Sequence, residues 1–132
     1  AIEIKYDPEI VNYATLLKIY WRNVDPFDFE GQFCDKGHSY KAVIFVRNEE
    51  ERELAKQTKE AFEDKFKKRI TVAIKSADTF YKAEEYHQDY YKKNKFRYKI
   101  YRASCGRDSR LNEVWGKDAR GEAFGETKEA LK

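Results

Sequence analysis

The stretch YKAVIFVRNEEERELAKQTKEAFEDKFKKRITVAI, Tyr40 to Ile74, decides the fold class. Tyr40 to Val46 is rich in β-forming residues and predicts a strand. Asn48 follows as a helix cap, with Glu49, Glu50 and Glu51 in the first turn, where carboxylates meet the positive end of the helix dipole. Leu54, Ala55, Thr58, Ala61, Phe62 and Phe66 then recur at helical spacing, and Lys67-Lys68-Arg69 puts cations where that helix should end. Ile70 to Ile74 reads as a second strand.

Toward the N-terminus, Ile2 to Tyr6 alternates apolar and polar residues, a strand pattern that Asp7-Pro8 stops, because proline cannot donate to a ladder. Ile10, Tyr13, Leu16, Leu17, Tyr20 and Trp21 predict a helix over about 9–23, closed by Asp25-Pro26. Phe27 to His38 has no period and reads as a loop, long enough to be functional. Toward the C-terminus, Ala83 to Asn94 has a polar helical pattern, and Phe96 to Tyr101 suits a short strand or an ordered aromatic segment. Gly116 to Lys132 is charged and glycine-bearing and predicts a loosely held tail. The order β, α, loop, β, α, β, α predicts an α+β fold, a two-layer α/β sandwich with a mixed or antiparallel sheet. One domain over 1–116 and a tail over 117–132 is the expected organisation.

The 132 residues suffice for a single core. The formal charge of +3, from 27 basic and 24 acidic residues, provides no global field for nucleic acid or anionic lipid. Lys65, Lys67, Lys68 and Arg69, and Lys92, Lys93, Lys95, Arg97 and Lys99 with interleaved aromatics, are the stretches a nucleic-acid strand could use, but solvated helix faces explain them as well. No nucleic acid, membrane or cofactor is expected as a partner. No apolar run reaches the length of a membrane span, and AIEIKYDP lacks the layout of a signal peptide. Cys34 and Cys105 have no metal-ligand spacing and are too few for a disulfide scaffold, so a cytoplasmic location with each cysteine a free buried thiol is the expectation.

Three motifs recur in order: Tyr6-Asp7-Pro8 with a helix ending Tyr20-Trp21-Arg22-Asn23-Val24-Asp25-Pro26; Gly31-Gln32-Phe33-Cys34-Asp35-Lys36-Gly37-His38-Ser39-Tyr40; and Ala83-Glu84-Glu85-Tyr86-His87-Gln88-Asp89-Tyr90. With Ser104-Cys105-Gly106-Arg107-Asp108 through Trp115-Gly116 they resemble the peptide methionine sulfoxide reductases of the A type, over nearly all of residues 1–116. The resemblance implies reduction of methionine S-sulfoxide, free or in proteins, with thioredoxin as reductant. It also implies a catalytic cysteine in a Gly-Cys-Phe-Trp motif, upstream of every match and absent from these 132 residues. The chain then resembles the C-terminal two-thirds of such an enzyme. By itself it is expected to be inactive, to leave apolar surface exposed and to be marginally stable or self-associating. The alternative is a non-catalytic module of the same fold that binds methionine-containing peptides.

Sulfoxide reduction needs a thiolate to attack sulfur and a donor at the S–O oxygen. By resemblance, Tyr40 and Tyr98 match the tyrosines whose hydroxyls point at that oxygen, and Asp35 the aspartate that supports them. Read without the motif, Asp35 is a turn former, Tyr40 an edge aromatic and Tyr98 one of a run of tyrosines. His87 beside Gln88 has no nucleophile to serve and reads as structural, and His38 is a weaker candidate still. The resolving cysteine that many members carry after the second tyrosine is Lys99 here, which leaves Cys105 as the possible resolving thiol. Lys41 replaces the arginine that follows the loop tyrosine, keeping the charge without the planar fork.

Overall fold

The computed structural model describes residues 1–121. Helix α1 spans Tyr13–Trp21, four residues later than the helical spacing begins, because Asn12 caps it: the Thr15 amide donates to Asn12 Oδ1 at 2.8 Å. Helix α2 spans Glu49–Phe66 with Asn48 as its cap, as expected. Glu51 is nearly buried at that end, accepting from the Arg47 amide at 2.9 Å and pairing with the Arg47 guanidinium at 3.0 Å.

The strands number β1 Gly31–Gln32, β2 Asp35–Lys36, β3 Val43–Val46 and β4 Ala73–Ser76. The mixed helix-and-strand architecture is that of an α+β fold, built on two small sheets. Strands β1 and β2 form an antiparallel hairpin, while β3 and β4 pair in parallel, Val43 opposite Ala73 and Val46 opposite Ser76. The parallel pairing follows from α2, which returns the chain to the end of the sheet from which β3 started. Ile44 and Val46 face the core and Phe45 faces out. Residues 70–72, expected inside the second strand, precede it: Thr71 donates from its amide to the Pro26 carbonyl at 2.9 Å, and Ile70 from its amide to the Glu63 carboxylate at 3.0 Å.

Three further sequence expectations are corrected. Ile2 to Tyr6 forms no strand and pairs with nothing among the described residues, so alternation alone, without a neighbouring edge, leaves Ile2 83% exposed. Ala83 to Asn94 is not one helix but a 3-10 turn at Glu85–His87 and a short α3 at Tyr90–Lys93, since a polar segment with little to bury lacks the packing that sustains a helix. Phe96 to Tyr101 lies inside helix α4, Lys95–Ser104, which leads into α5, Arg107–Trp115. The half-buried residues there, Asn94, Tyr98, Arg102 and Cys105, fall at helical spacing along one face.

The core joins Leu17, Trp21, Ile44, Val46, Ala55, Ile70, Val72, Leu111, Trp115 and Ala119. Its aromatic half accounts for much of the aromatic richness: Phe62 lies edge-on to Trp115 at 5.0 Å and to Trp21 at 6.0 Å, and Phe66 edge-on to Trp115 at 5.2 Å and to Phe27 at 5.6 Å. Both indoles are satisfied, Trp21 donating to Thr58 Oγ1 at 2.9 Å and Trp115 to the Val24 carbonyl at 3.0 Å. The described part of the expected tail is packed rather than loose: Ala119 is 1% exposed and the Arg120 amide donates to the Arg22 carbonyl at 2.8 Å. Residues 122–132 lie outside the described residues. The buried Tyr20 hydroxyl has no partner among the described residues, and burial pushes its pKa well above the ordinary phenol value. A buried, unpaired hydroxyl costs stability, so Tyr20→Phe should raise the unfolding free energy by about 1 kcal/mol, measured by urea denaturation.

Ile2, Ile4, Phe45, Phe96 and Ile100 are among the exposed apolar side chains. The basic stretches are partly engaged within the chain. Lys68 lies over the Phe27 ring at 4.5 Å, Lys65 over Phe66 at 5.6 Å, and Lys93 pairs with Glu85 at 3.1 Å.

Candidate functional site

The loop expected over 27–38 is organised by the β1/β2 hairpin. Gly31 makes its closure possible, because a Cβ there would collide with the backbone carbonyl of Asp35 across the ladder. The turn residue Phe33 adopts φ +56°, a left-handed conformation unusual for a bulky side chain, and the Arg107 guanidinium lies over its ring at 4.1 Å. Gln32 fixes the hairpin to the end of the α1 segment: its side chain accepts from the Asp25 amide at 2.9 Å and donates to the Asp25 carbonyl at 2.8 Å. The buried Asp25 carboxylate in turn accepts from Arg110 Nε of α5 at 2.8 Å. Gly37, at φ +117°, then turns the chain into a 3-10 segment, His38–Tyr40.

Against this hairpin lies the α4–α5 corner. The Tyr101 hydroxyl donates to Asp35 Oδ2, and Cys34 is disulfide-bonded to Cys105 with their Cα atoms 5.1 Å apart. The expectation of free buried thiols is therefore corrected: Cys34 is exposed, Cys105 half-buried, and each sulfur is bonded to the other. Seventy-one residues separate them, so only the fold brings them together.

Tyr98 and Tyr101 both face this corner, three residues apart on α4. The Tyr98 hydroxyl accepts from Arg102 Nη1 at 3.1 Å, and Arg102 pairs with Asp108 at 2.7 Å. That hydrogen bond holds the Asp108 carboxyl below its usual range. Burial, together with the like charge of Arg102, lowers Arg107, while Tyr98, Tyr101 and Asp35 oppose the shift. Partial burial, and then the hydrogen bond to and charge of Asp35, push the Tyr101 phenol from about 10 to about 12, with Tyr40 adding to the rise. Asp35, Tyr40, Tyr101 and Arg107 are thus one electrostatic cluster. The Tyr40 ring is half-exposed, and among the described residues nothing engages its hydroxyl.

Of the sequence candidates, Asp35 and Tyr40 sit in this cluster, and Tyr98 adjoins it through Arg102 and Arg107. Cys105 is tied to Cys34. His87 stands apart with its ring 3.7 Å from Glu84 and stacked on Tyr86, more exposed than a structural histidine should be, and His38 is exposed. Tyr101 and Arg107 were not singled out by sequence. The signal was available in the i, i+3 spacing of Tyr98 and Tyr101, which share a face on a helix and oppose each other on a strand. Among the described residues no group of three or more His, Cys, Asp or Glu is placed to hold a metal ion, and no helix is long and apolar enough to cross a membrane.

The Asp35–Tyr101 pair allows a titration test. In the folded state Tyr101 keeps its proton between pH about 10 and about 12 while an unfolded tyrosine loses it. Stability from this group is therefore complete below pH about 10 and is lost as pH rises through about 12. In Asp35→Asn the Tyr101 titration, followed by tyrosine-selective NMR, should move down but stop above the ordinary value, because the larger cause, burial, remains.

Fold and cluster together define a small α+β domain that presents phenol hydroxyls and one carboxylate on a disulfide-pinned loop. The family model described as peptide methionine sulfoxide reductase matches residues 1–119. Curated relatives bearing the name peptide methionine sulfoxide reductase MsrA include those of Ligilactobacillus salivarius, 49% identical over 117 residues covering 87% of this chain and 67% of the relative, and Listeria welshimeri, 47% identical over 117 residues with 87% and 66% covered. The crystal structure of reduced Mxr1 from Saccharomyces cerevisiae superposes with a TM-score of 0.63 at 34% identity, over 68% of this chain and 50% of that one. The chain belongs to the peptide methionine sulfoxide reductase family. It spans about two-thirds of the length of the curated relatives it matches.

Proposed function

We propose that residues 1–116, with the packed segment to Arg120, form the oxygen-recognising side of a methionine-S-sulfoxide reductase site. The observation that carries this reading is the Asp35–Tyr101 hydrogen bond beside Tyr40, on the loop shared with the family. A sulfoxide oxygen accepts hydrogen bonds and becomes more basic as its bond to sulfur breaks, so acidic O–H donors fixed in advance at that oxygen favour the transition state. Tyr40 and Tyr98 are the donors in this reading, and Asp35 positions its surroundings through Tyr101. In this reading the thiolate that attacks sulfur comes from the cysteine motif that the family resemblance implies, while Cys34 and Cys105 are bonded to each other. Two thiols then reduce the sulfoxide to the thioether, releasing water and forming one disulfide, and a dithiol protein of the thioredoxin class restores them. Free methionine sulfoxide and the residue within proteins are both substrates in this reading, and the reaction is placed in the cytoplasm.

The same disulfide favours a second reading, in which the fold binds methionine-containing peptides without turnover. Incubating the intact protein and dithiothreitol with both epimers of a methionine sulfoxide peptide, and separating the products by chromatography, tests the proposal. Loss of the S epimer with the R epimer retained is expected. Retention of both with saturable binding of the peptide would replace the enzymatic reading with the binding one.

A further inference from the structure

The Cys34–Cys105 bond crosses a seam that no strand ladder closes. On one side is the hairpin turn carrying Phe33 and Asp35, and on the other the α4–α5 corner carrying Tyr101 and Arg107. Besides the disulfide, that turn is held to the corner by the Asp35–Tyr101 hydrogen bond and by Arg107 over Phe33. Behind it, the Gln32–Asp25–Arg110 chain anchors the hairpin base independently of the two sulfurs. Cys34 is an exposed residue on the hairpin turn, the side from which a reductant would approach the bond. Arg107 stands two residues after Cys105 and over the ring adjacent to Cys34, and a neighbouring cation stabilises a departing thiolate.

We propose that Cys34–Cys105 is a thiol–disulfide exchange site, opened by dithiols and closed by disulfides, whose state sets whether the Asp35 turn stays docked on the Tyr101 face of α4. A thiolate of the reductant attacks Cys34 Sγ, forming a mixed disulfide and expelling Cys105 as a thiolate that takes up a proton. The second thiol of the reductant then attacks its own sulfur in the mixed disulfide, releasing Cys34. Two electrons pass from the dithiol to the protein, and the reductant leaves as its cyclic disulfide. The exchange consumes no sulfoxide, because it involves neither a substrate sulfur nor a further cysteine.

Alkylation of the intact protein with iodoacetamide after dithiothreitol, without denaturant and resolved by peptide mass, reads the exchange at each cysteine. Tyrosine-selective NMR titration reads the docking, with Tyr13, which also titrates near about 12 but lies beside Glu51 at the α2 N-terminus, as internal control. Both cysteines should be alkylated, Tyr101 should titrate closer to the ordinary value, Tyr13 should not move, and oxidised glutathione should restore the starting state. Alkylation only in denaturant, an unmoved Tyr101 after full reduction, or Tyr13 moving with Tyr101 would overturn the proposal. Neither readout depends on sulfoxide reduction, so failure here and failure of the enzymatic reading are separable.

Discussion

Serine at both Cys34 and Cys105 should lower the unfolding free energy by about 4 kcal/mol, because the bond closes a loop of 71 residues and its removal returns that closure entropy to the unfolded chain. The loss is large against the 5–15 kcal/mol that holds a typical domain of this size. Cys34 is exposed and Cys105 half-buried, and neither belongs to the buried core, so most of the effect enters through the unfolded state. Urea denaturation of the oxidised protein and of the Cys34→Ser/Cys105→Ser variant measures the difference. The dithiothreitol-reduced native protein should match the variant. A difference below about 1 kcal/mol would mean that the two segments are held together in the unfolded chain as well, or that the bond is not formed in solution.

Tyr40→Phe in the intact protein should lower kcat on methionine S-sulfoxide by about 100-fold, with KM nearly unchanged, as loss of a single donor to a developing oxyanion does elsewhere. The split between kcat and KM follows from timing. The Tyr40 hydroxyl has no competing partner among the described residues, and the sulfoxide oxygen, already polarised in the ground state, becomes far more basic as the S–O bond breaks, so most of the strengthening of its bond comes at the transition state. Tyr98→Phe should lower kcat as well and, because that hydroxyl accepts from Arg102, should also disturb the Arg102–Asp108 pair. Tyr101→Phe acts through Asp35 and should alter the alkaline pH dependence of turnover more than its maximum. Steady-state kinetics of the three variants against pH checks the order, and equal losses at Tyr40 and Tyr101 would remove the distinction between donor and positioning residue.

Much of this was legible in the sequence where a local rule acted alone. Asn48 with its acidic first turn specified the start of α2, and the Thr58, Phe62 and Phe66 stripe specified its buried face. The loop motif singles out Asp35 and Tyr40, which the fold sets in one electrostatic cluster with Tyr101. What escaped depended on partners distant in the chain. Ile2 to Tyr6 has a strand's alternation but no edge to pair with among the described residues. Phe96 to Tyr101 is aromatic enough to pass for a strand, yet its polar neighbours Lys95, Arg97 and Lys99 point outward from a helix whose half-buried face reads Asn94, Tyr98, Arg102 and Cys105. Of the two expectations, a short strand would set Tyr101 opposite Tyr98, whereas on the helix they share a face and Tyr101 reaches Asp35. Two cysteines are too few to announce a disulfide scaffold and carry no metal-ligand spacing, so composition alone pointed to free thiols and a cytoplasmic location, while only the fold brings together residues 71 apart.

In the proposed function these residues supply the hydrogen-bonding side of a sulfoxide site and not its thiolate. Dithiothreitol-dependent turnover of methionine S-sulfoxide should be measured side by side for residues 1–132 and for the same chain extended upstream in its own reading frame. The prediction is turnover by the extended chain alone, abolished there by Asp35→Ala with Tyr40→Phe. Turnover by residues 1–132, or turnover by the extended chain that both substitutions leave intact, would contradict it.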